Sequence, residues 1–299
     1  SYTFVSTANA FVLRGAIPVF ADIRPDTLNI DERNIESLIT SNTKVIVPVH
    51  YAGVGCDMDE ILKIASKHNL LVIEDAAQAY GSTYRGKMLG TFGDFGAFSF
   101  HETKNILCGE GGALVLNNPK YIKRAEIIWD KGTDRAQFFR GEIDKYSWVD
   151  LGSSYLPGEI IAAFLYPQLQ MSESINASRM DKWKNYYSRF KELRGIFKLP
   201  EVPTDCGHNA HLFYLLARTH DEQMSLLNRL KEEGVNAVFH YVPLHLSVAA
   251  KKFSCRYSDL KYTEQLSERL IRLPLYPDLS NEEQDKVIDV VTSWATKLA

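Results

Sequence analysis

The chain has 299 residues, enough for two domains of ordinary size or one large one. Hydrophobic residues make up 45% and charged residues 24%, a globular balance that excludes a disordered chain. With 34 Lys and Arg against 37 Asp and Glu, nothing in the charge points to nucleic acid or an acidic membrane surface as a partner.

No apolar run reaches the length that a helix needs to span a bilayer. The cysteines Cys56, Cys108, Cys206 and Cys255 form no CxxC pair, which fits reduced thiols in a cytoplasm rather than a disulfide framework. The opening Ser1-Tyr2-Thr3-Phe4-Val5 has neither an initiator Met nor a signal peptide, and reads as a start in the middle of a fold.

Short β-rich runs then alternate with amphipathic helical stretches. Residues 17–23 read as a strand and 34–39 as a short helix with Ile35, Leu38 and Ile39 on one face. Residues 44–50 read as another strand. Asp57 is placed to cap a helix whose apolar stripe is Ile61, Leu62, Ile64 and Ala65. The run 70–74 is apolar until Glu74, the pattern of a strand buried on both faces, and 95–100 and 113–116 supply two more strands. Alternation of this kind predicts a mostly parallel sheet covered by helices.

After about residue 158 the texture changes. Residues 159–169 read as a buried helix, and 172–193 as a long polar one with Trp183, Tyr186, Tyr187 and Phe190 on one face. Strands are expected at 211–217 and 235–241, and helices at 222–233 and 281–298. The change of pattern divides the chain into a large α/β domain, 1–170, and an interdomain helix with a small α+β domain, 171–299.

Two strand ends carry the chemistry. Asp75 follows the buried run, where side chains of open α/β sheets face the ligand crevice. Lys104 follows the next strand in FSFHETKN (98–105), ahead of the glycine turn 109–112. An isolated Glu-Asp pair commonly caps a turn, and an isolated loop lysine is commonly a solvated charge. Together they suit pyridoxal phosphate, which needs an anion against its ring nitrogen and a lysine amine for a Schiff base. That amine has to be free near neutral pH, which burial or a nearby cation achieves.

The runs EDAAQ (74–78), FSFHETKN (98–105) and GEGGA (109–113) resemble the signature of the DegT/StrS-type nucleotide-sugar aminotransferases. The resemblance extends to SYTFVSTANAF at the start, VIVPVHYAG (45–53), FHYVPLH (239–245) and RLPLYPDLS (272–280). It implies the fold-type I, aspartate aminotransferase-like α/β architecture of pyridoxal-phosphate transferases. The stretch 131–156 is similar to one subgroup, the transaminases that convert dTDP-4-keto-6-deoxyglucose to dTDP-4-amino-4,6-dideoxygalactose in the pathway to enterobacterial common antigen. L-Glutamate would be the amino donor and 2-oxoglutarate its product.

By that resemblance Lys104 is the Schiff-base lysine and Asp75 the partner of the pyridinium nitrogen. Gln78 lies near the ring hydroxyl, Ser99 bonds the phosphate and Phe4 stacks on the ring. His101 orients the site or simply packs. His240 and His245 resemble a loop lining the sugar-nucleotide pocket, while Arg135, Arg140 and Tyr146 would meet the diphosphate or a partner subunit. A homodimer is implied; a metal is not.

Two departures bear on activity. Family members carry roughly seventy residues before this point, including a small-residue turn at a helix N-terminus whose amides hold the cofactor phosphate. The large domain is therefore expected to lack its N-terminal part. A YNL-like context that brings an asparagine across the dimer interface reads Tyr155-Leu156-Pro157 here.

Rival readings are a fragment that folds but binds no cofactor, and a related aminotransferase or dehydratase acting on another keto-sugar. Lys104 argues against the dehydratases in which that residue is His. A dinucleotide-dependent dehydrogenase fails because no GxGxxG follows the first strand.

Overall fold

Four strands organise the N-terminal half of the chain in this computed structural model, which describes residues 1–298. They are β1 (Val45–Ile46), β2 (Leu71–Asp75), β3 (Phe95–Ser99) and β4 (Gly112–Leu116), side by side in that order. β1 and β3 run parallel to β2, whereas β4 returns antiparallel to β3. The expected mostly parallel sheet thus carries an antiparallel edge strand. Register sets Asp75 opposite Ala97, and Ser99 opposite Gly112, so both residues stand at the carboxyl ends of their strands.

Helix α1 (Val5–Val12) precedes the sheet, and α2 (Met58–His68) joins β1 to β2. Asp57 caps α2 by accepting the Glu60 amide, and Met58, Ile61 and Ala65 are its buried stripe. The apolar side chains of β2 pack against that stripe around Ile46, Val72 and Leu89.

Glu74 is fully buried, which a carboxylate tolerates only with several donors. It accepts the amides of Gly90 (2.7 Å), Phe92 (2.6 Å) and Gly93 (2.8 Å), and the Nε2–H of His50 (3.0 Å). The turn it gathers abuts β3 so closely that a Cβ on Gly96 would lie 2.1 Å from the Gly90 carbonyl oxygen. Burial works to raise the Glu74 carboxyl, but His50 and the amides of Gly93 and Gly90 outweigh it and hold it below the ordinary glutamate range. The unfolded chain therefore takes up this proton first as pH falls, and the stability Glu74 confers is lost toward acid. Glu74→Ala should cost about 3–5 kcal/mol by orphaning the three amides, read as a lowered urea midpoint at pH 7.

In the C-terminal half β5 (Phe213–Leu216) and β6 (Leu270–Leu273) pair antiparallel, with Arg272 opposite Tyr214. The longer helices of this part are α3 (Glu159–Gln170), α4 (Ser172–Phe190), α5 (His220–Glu232) and α6 (Asn281–Thr296). The aromatic stripe predicted on α4 is real: Trp183, Tyr186 and Phe190 are buried, and Tyr187 stacks on Trp183. It joins Phe213, Leu215, Ile271, Leu273, Val291 and Trp294 in one core. Ser280 and Glu283 form a capping box that opens α6.

Several expectations change, among them the strand expected over 44–50, which forms only at Val45–Ile46 with a single further bridge from Val49 to Asp75. Helix α3 is not buried: Ile161, Leu165 and Leu169 pack on Phe100, Ile106 and Cys108, while Ile160, Phe164 and Tyr166 point outward. Its sequence is apolar on both sides, so composition alone could not tell which face packs within the chain. Residues 235–241 form no strand, because the Ala237 amide bonds back to Val235 and only Val238 bridges Arg272 on β6. The strand expected over 17–23 shrinks to Val19–Phe20, paired with Arg256–Tyr257. Among the described residues no helix is long and apolar enough to cross a membrane.

Candidate functional site

Between β3 and β4 the chain makes a tight excursion pinned at its base by backbone hydrogen bonds. The Phe100 amide donates to Gly111, Cys108 to Phe100 and Glu102 to Gly109, each at 2.8 Å. Gly109 makes the reversal at φ +84°, a left-handed conformation that suits glycine. Lys104 sits in this loop with its amide donating to the His101 carbonyl (2.9 Å). Its side chain is largely withdrawn from water, and among the described residues its ammonium has no hydrogen bond or ion pair.

Burial lowers the Lys104 amine below the ordinary lysine range, the charge of Asp75 draws it back up and that of Arg272 presses it further down. A partly buried lysine under the influence of one carboxylate and one guanidinium is set apart from a surface charge.

Asp75 is oriented from both sides. One oxygen accepts the Thr7 hydroxyl of α1 (2.6 Å) and the other the Ala77 amide (3.1 Å). Thr3 supports Thr7 at 2.8 Å. Buried Gln78 accepts the Ala52 amide (2.8 Å) and donates to the Tyr241 hydroxyl (3.2 Å). Phe4, at the start of α1, is 56% exposed and its ring centroid lies 6.4 Å from that of Tyr241. The Ser99 oxygen accepts the His101 amide (3.3 Å), which leaves its own hydroxyl proton free to donate. Phe4 and Gln78 thus meet at Tyr241, and the charge of Asp75 acts on both Tyr241 and Lys104.

A buried amide network that the sequence reading did not single out fixes this loop. Asn105 donates to Asn176 on α4 (2.9 Å) and to the Asn209 carbonyl (2.8 Å), and pairs with the His211 ring (2.9 Å). Asn209 in turn donates to the carbonyls of Gln78 and Tyr80. The segment after Asp75, the residue after Lys104 and the long helix are therefore tied together. The one available signal was the position of Asn105 directly beside Lys104. Thr7 and Tyr241 were missed for want of any spacing rule.

The other predicted residues lie elsewhere or are engaged. His240 is buried against the Tyr51 hydroxyl (3.0 Å), and burial with the charges of Arg272 and Lys104 lowers it to about 3, so it is neutral. Both ring nitrogens of His245 are taken, by Ser1 (2.7 Å) and Glu264 (2.9 Å). Arg140 is shared between Glu126 and Glu142. Arg135 faces the rings of Phe139 and Tyr146. That cluster has no hydrogen bond to the Lys104 chamber among the described residues. His101 pairs locally with Thr103 (3.0 Å).

The donor set suits pyridoxal phosphate: an unpaired amine of lowered basicity, a carboxylate with oriented oxygens, a free hydroxyl at the end of β3 and an exposed aromatic ring. Comparison with known proteins agrees. The DegT/DnrJ/EryC1/StrS aminotransferase family matches residues 1–292. The spore coat polysaccharide biosynthesis protein SpsC of Bacillus subtilis is 34% identical over 97% of this chain and 76% of its own.

Among solved structures, PseC of Helicobacter pylori, an aminotransferase involved in pseudoaminic acid biosynthesis, has a TM-score of 0.90 at 28% identity. The match covers 99% of this chain and 78% of that one. The PMP-form of the putative sugar aminotransferase Spr1654 from Streptococcus pneumoniae has a TM-score of 0.91 at 27% identity, covering 100% and 81%. The architecture is that of the fold-type I pyridoxal-phosphate transferases.

Proposed function

The chain belongs to the DegT/DnrJ/EryC1/StrS aminotransferase family, whose members here are pyridoxal-phosphate-dependent sugar aminotransferases, and from that premise we propose its substrate and the roles of its residues. The reaction is transfer of the amino group of L-glutamate to the C4 ketone of dTDP-4-keto-6-deoxyglucose, giving dTDP-4-amino-4,6-dideoxygalactose and 2-oxoglutarate. The observation that carries the chemistry is the unpaired, partly buried Lys104 amine in the loop after β3, acted on by the charge of Asp75 at the end of the neighbouring strand β2. The sugar assignment rests on the resemblance of residues 131–156.

Pyridoxal phosphate supplies the electron sink and the carbon that carries the amino group between the two substrates. Lys104 would hold it and, once released, move a proton off the donor carbon and back onto the sugar carbon, a task suited to an amine whose basicity is lowered. Asp75, fixed by Thr7 and Ala77, would keep the ring nitrogen protonated. Phe4 would cover one ring face, Gln78 would stand by the ring hydroxyl and Ser99 would donate to the phosphate. The Asn105–His211 network holds the Lys104 loop in place. The same reading divides the chain near residue 170 and places it in the cytoplasm, in keeping with four free thiols.

The test is incubation of the cofactor-loaded protein with L-glutamate and dTDP-4-keto-6-deoxyglucose, with the product identified by mass and by NMR couplings at C4. An unchanged sugar, or amination only of a different keto-sugar, would overturn the substrate assignment.

A homodimer belongs to this proposal. The outward face of α3 and the segment before it expose Ile160 (85%), Trp148 (80%), Leu151 and Phe164, a run of large apolar side chains of the kind that marks an interaction surface. Ile160→Glu should halve the mass measured by light scattering, through a charge buried at the contact. A wild-type chain that is already monomeric at micromolar concentration would remove the dimer.

A further inference from the structure

The contact that ties His211 to Asn105 uses one of the two ring nitrogens, and the hydrogen bonds of Asn105 decide in which form. A backbone carbonyl can only accept, so the Asn105 atom that meets the Asn209 carbonyl at 2.8 Å is the amide nitrogen. The same nitrogen gives its other hydrogen to the side-chain oxygen of Asn176 (2.9 Å). The atom left to face the His211 ring at 2.9 Å is the Asn105 oxygen, so Nδ1 of His211 donates to it.

Burial, joined by the charges of Lys104, Arg272, Arg179 and His240, holds the His211 imidazole well below the usual histidine range, so it takes no second proton near neutrality. Nε2 is then a bare lone pair on a ring that is only 3% exposed, and it has no hydrogen bond among the described residues. A buried acceptor without a donor is costly and calls for a partner. Two of the neighbouring groups are already engaged. Arg179 is taken by the carbonyls of Ala210 and His211, which also fixes the His211 backbone, and Nδ1 of His240 pairs with the Tyr51 hydroxyl. Lys104 directly precedes Asn105, the residue that grips the ring, and its ammonium is unpaired among the described residues.

We propose that His211 is a positioning residue for Lys104, its Nε2 accepting a hydrogen bond from the Lys104 ammonium whenever that amine is charged and free of the cofactor. This rests on the transamination reading. In both half-reactions Lys104 has to hold a proton for a time without swinging away, and a flexible four-carbon stem does not stay aimed unaided. One charge-assisted bond to a rigid ring aims it. A neutral imidazole does so without the added negative charge that would make the amine too basic to return the proton.

Two substitutions separate the two edges of the ring. His211→Asn sets an amide nitrogen where Nδ1 stands and keeps the bond to Asn105, but reaches no further. His211→Gln carries its amide out to the place of Nε2, where its oxygen can accept, and gives up the bond to Asn105. In the full chain loaded with cofactor, two single-turnover rates are measured, that with L-glutamate and that of the aminated form with the keto-sugar. Both should fall about 10–100-fold in His211→Asn, the worth of one charge-assisted hydrogen bond, and less in His211→Gln. The cofactor mass fixed by borohydride should match wild type in His211→Asn. The reverse order of the two variants, or a loss confined to one half-reaction, would overturn the assignment and leave His211 only its bond to Asn105.

Nitrogen-15 NMR of the histidine-labelled chain reads the same point without turnover, with His211→Asn identifying the signal. At pH 7 the wild-type ring should carry its proton on Nδ1. Its Nε2 resonance should shift toward the hydrogen-bonded position when pyridoxal phosphate is replaced by pyridoxamine phosphate, which leaves Lys104 free. A proton on Nε2, or an Nε2 resonance equal in the two forms, would overturn the assignment. So would a resonance that moves only in Arg272→Lys, which would give the lone pair to Arg272. A wild-type chain whose bound cofactor L-glutamate does not aminate would instead bring down the transamination reading, and this proposal with it.

Discussion

Lys104→Ala should bind no cofactor covalently and should aminate keto-sugar at least about 10⁴-fold more slowly than wild type. Two functions are lost at once, the amine that anchors pyridoxal phosphate and the base that moves the proton, since Lys104 is the amine on which the charge of Asp75 acts. Borohydride reduction followed by intact-mass measurement reads the first loss, and turnover reads the second. A variant that still gained the cofactor mass, or kept its rate, would move the chemistry to another residue.

The lysine also leaves a thermodynamic trace without cofactor. Its folded-state basicity is lowered, chiefly by burial, so above that value the unfolded chain holds a proton the folded chain has released. Wild-type stability should therefore rise with pH through that interval and level off at the ordinary lysine range. Lys104→Met, which fills the same space without charge, should lack this slope and melt higher than wild type at neutral pH. Equal melting curves at neutral pH would mean that the amine pays no burial cost.

How much of this was readable in advance depends on whether the information was local. The capped helix after Asp57 and the stripe of Trp183, Tyr186 and Phe190 obey helical periodicity, and both formed as written. Strand ends were also local, because Glu74-Asp75 closes an apolar run, and that was enough to put Asp75 at the edge of the sheet. Register was not: only pairing with β3 shows that the next strand brings its loop, and Lys104, to the same edge.

The residues overlooked act across long separations. Thr7 reaches Asp75 over 68 positions and Asn105 reaches His211 over 106, distances at which no spacing pattern operates. Arg272 was hidden for a different reason. In a strand one residue in two faces the other side, and the sequence does not say which side holds the chamber. The ambiguity of α3 is the same problem on a helix, since its exposed face is as apolar as the one that packs within the chain.

Asp75→Asn should separate anchoring from chemistry. The cofactor should still attach to Lys104, since the amine is untouched, but transamination should fall by about 10²–10³-fold because the ring nitrogen loses the anion that keeps it protonated. Asparagine keeps the shape and can still accept the Thr7 hydroxyl, although its amide nitrogen cannot replace the oxygen that accepts from Ala77.

A second consequence follows from the same charge. Asp75 is the group that raises Lys104 against burial and Arg272, so its removal should lower the amine further. The pH at which the cofactor attaches half-maximally should therefore shift downward in Asp75→Asn while the rate of amination collapses. A merely structural aspartate would lower both cofactor binding and melting temperature without that opposed pair of changes. Attachment at an unchanged pH with the rate retained would separate Asp75 from Lys104 and leave the chamber without its acidic partner.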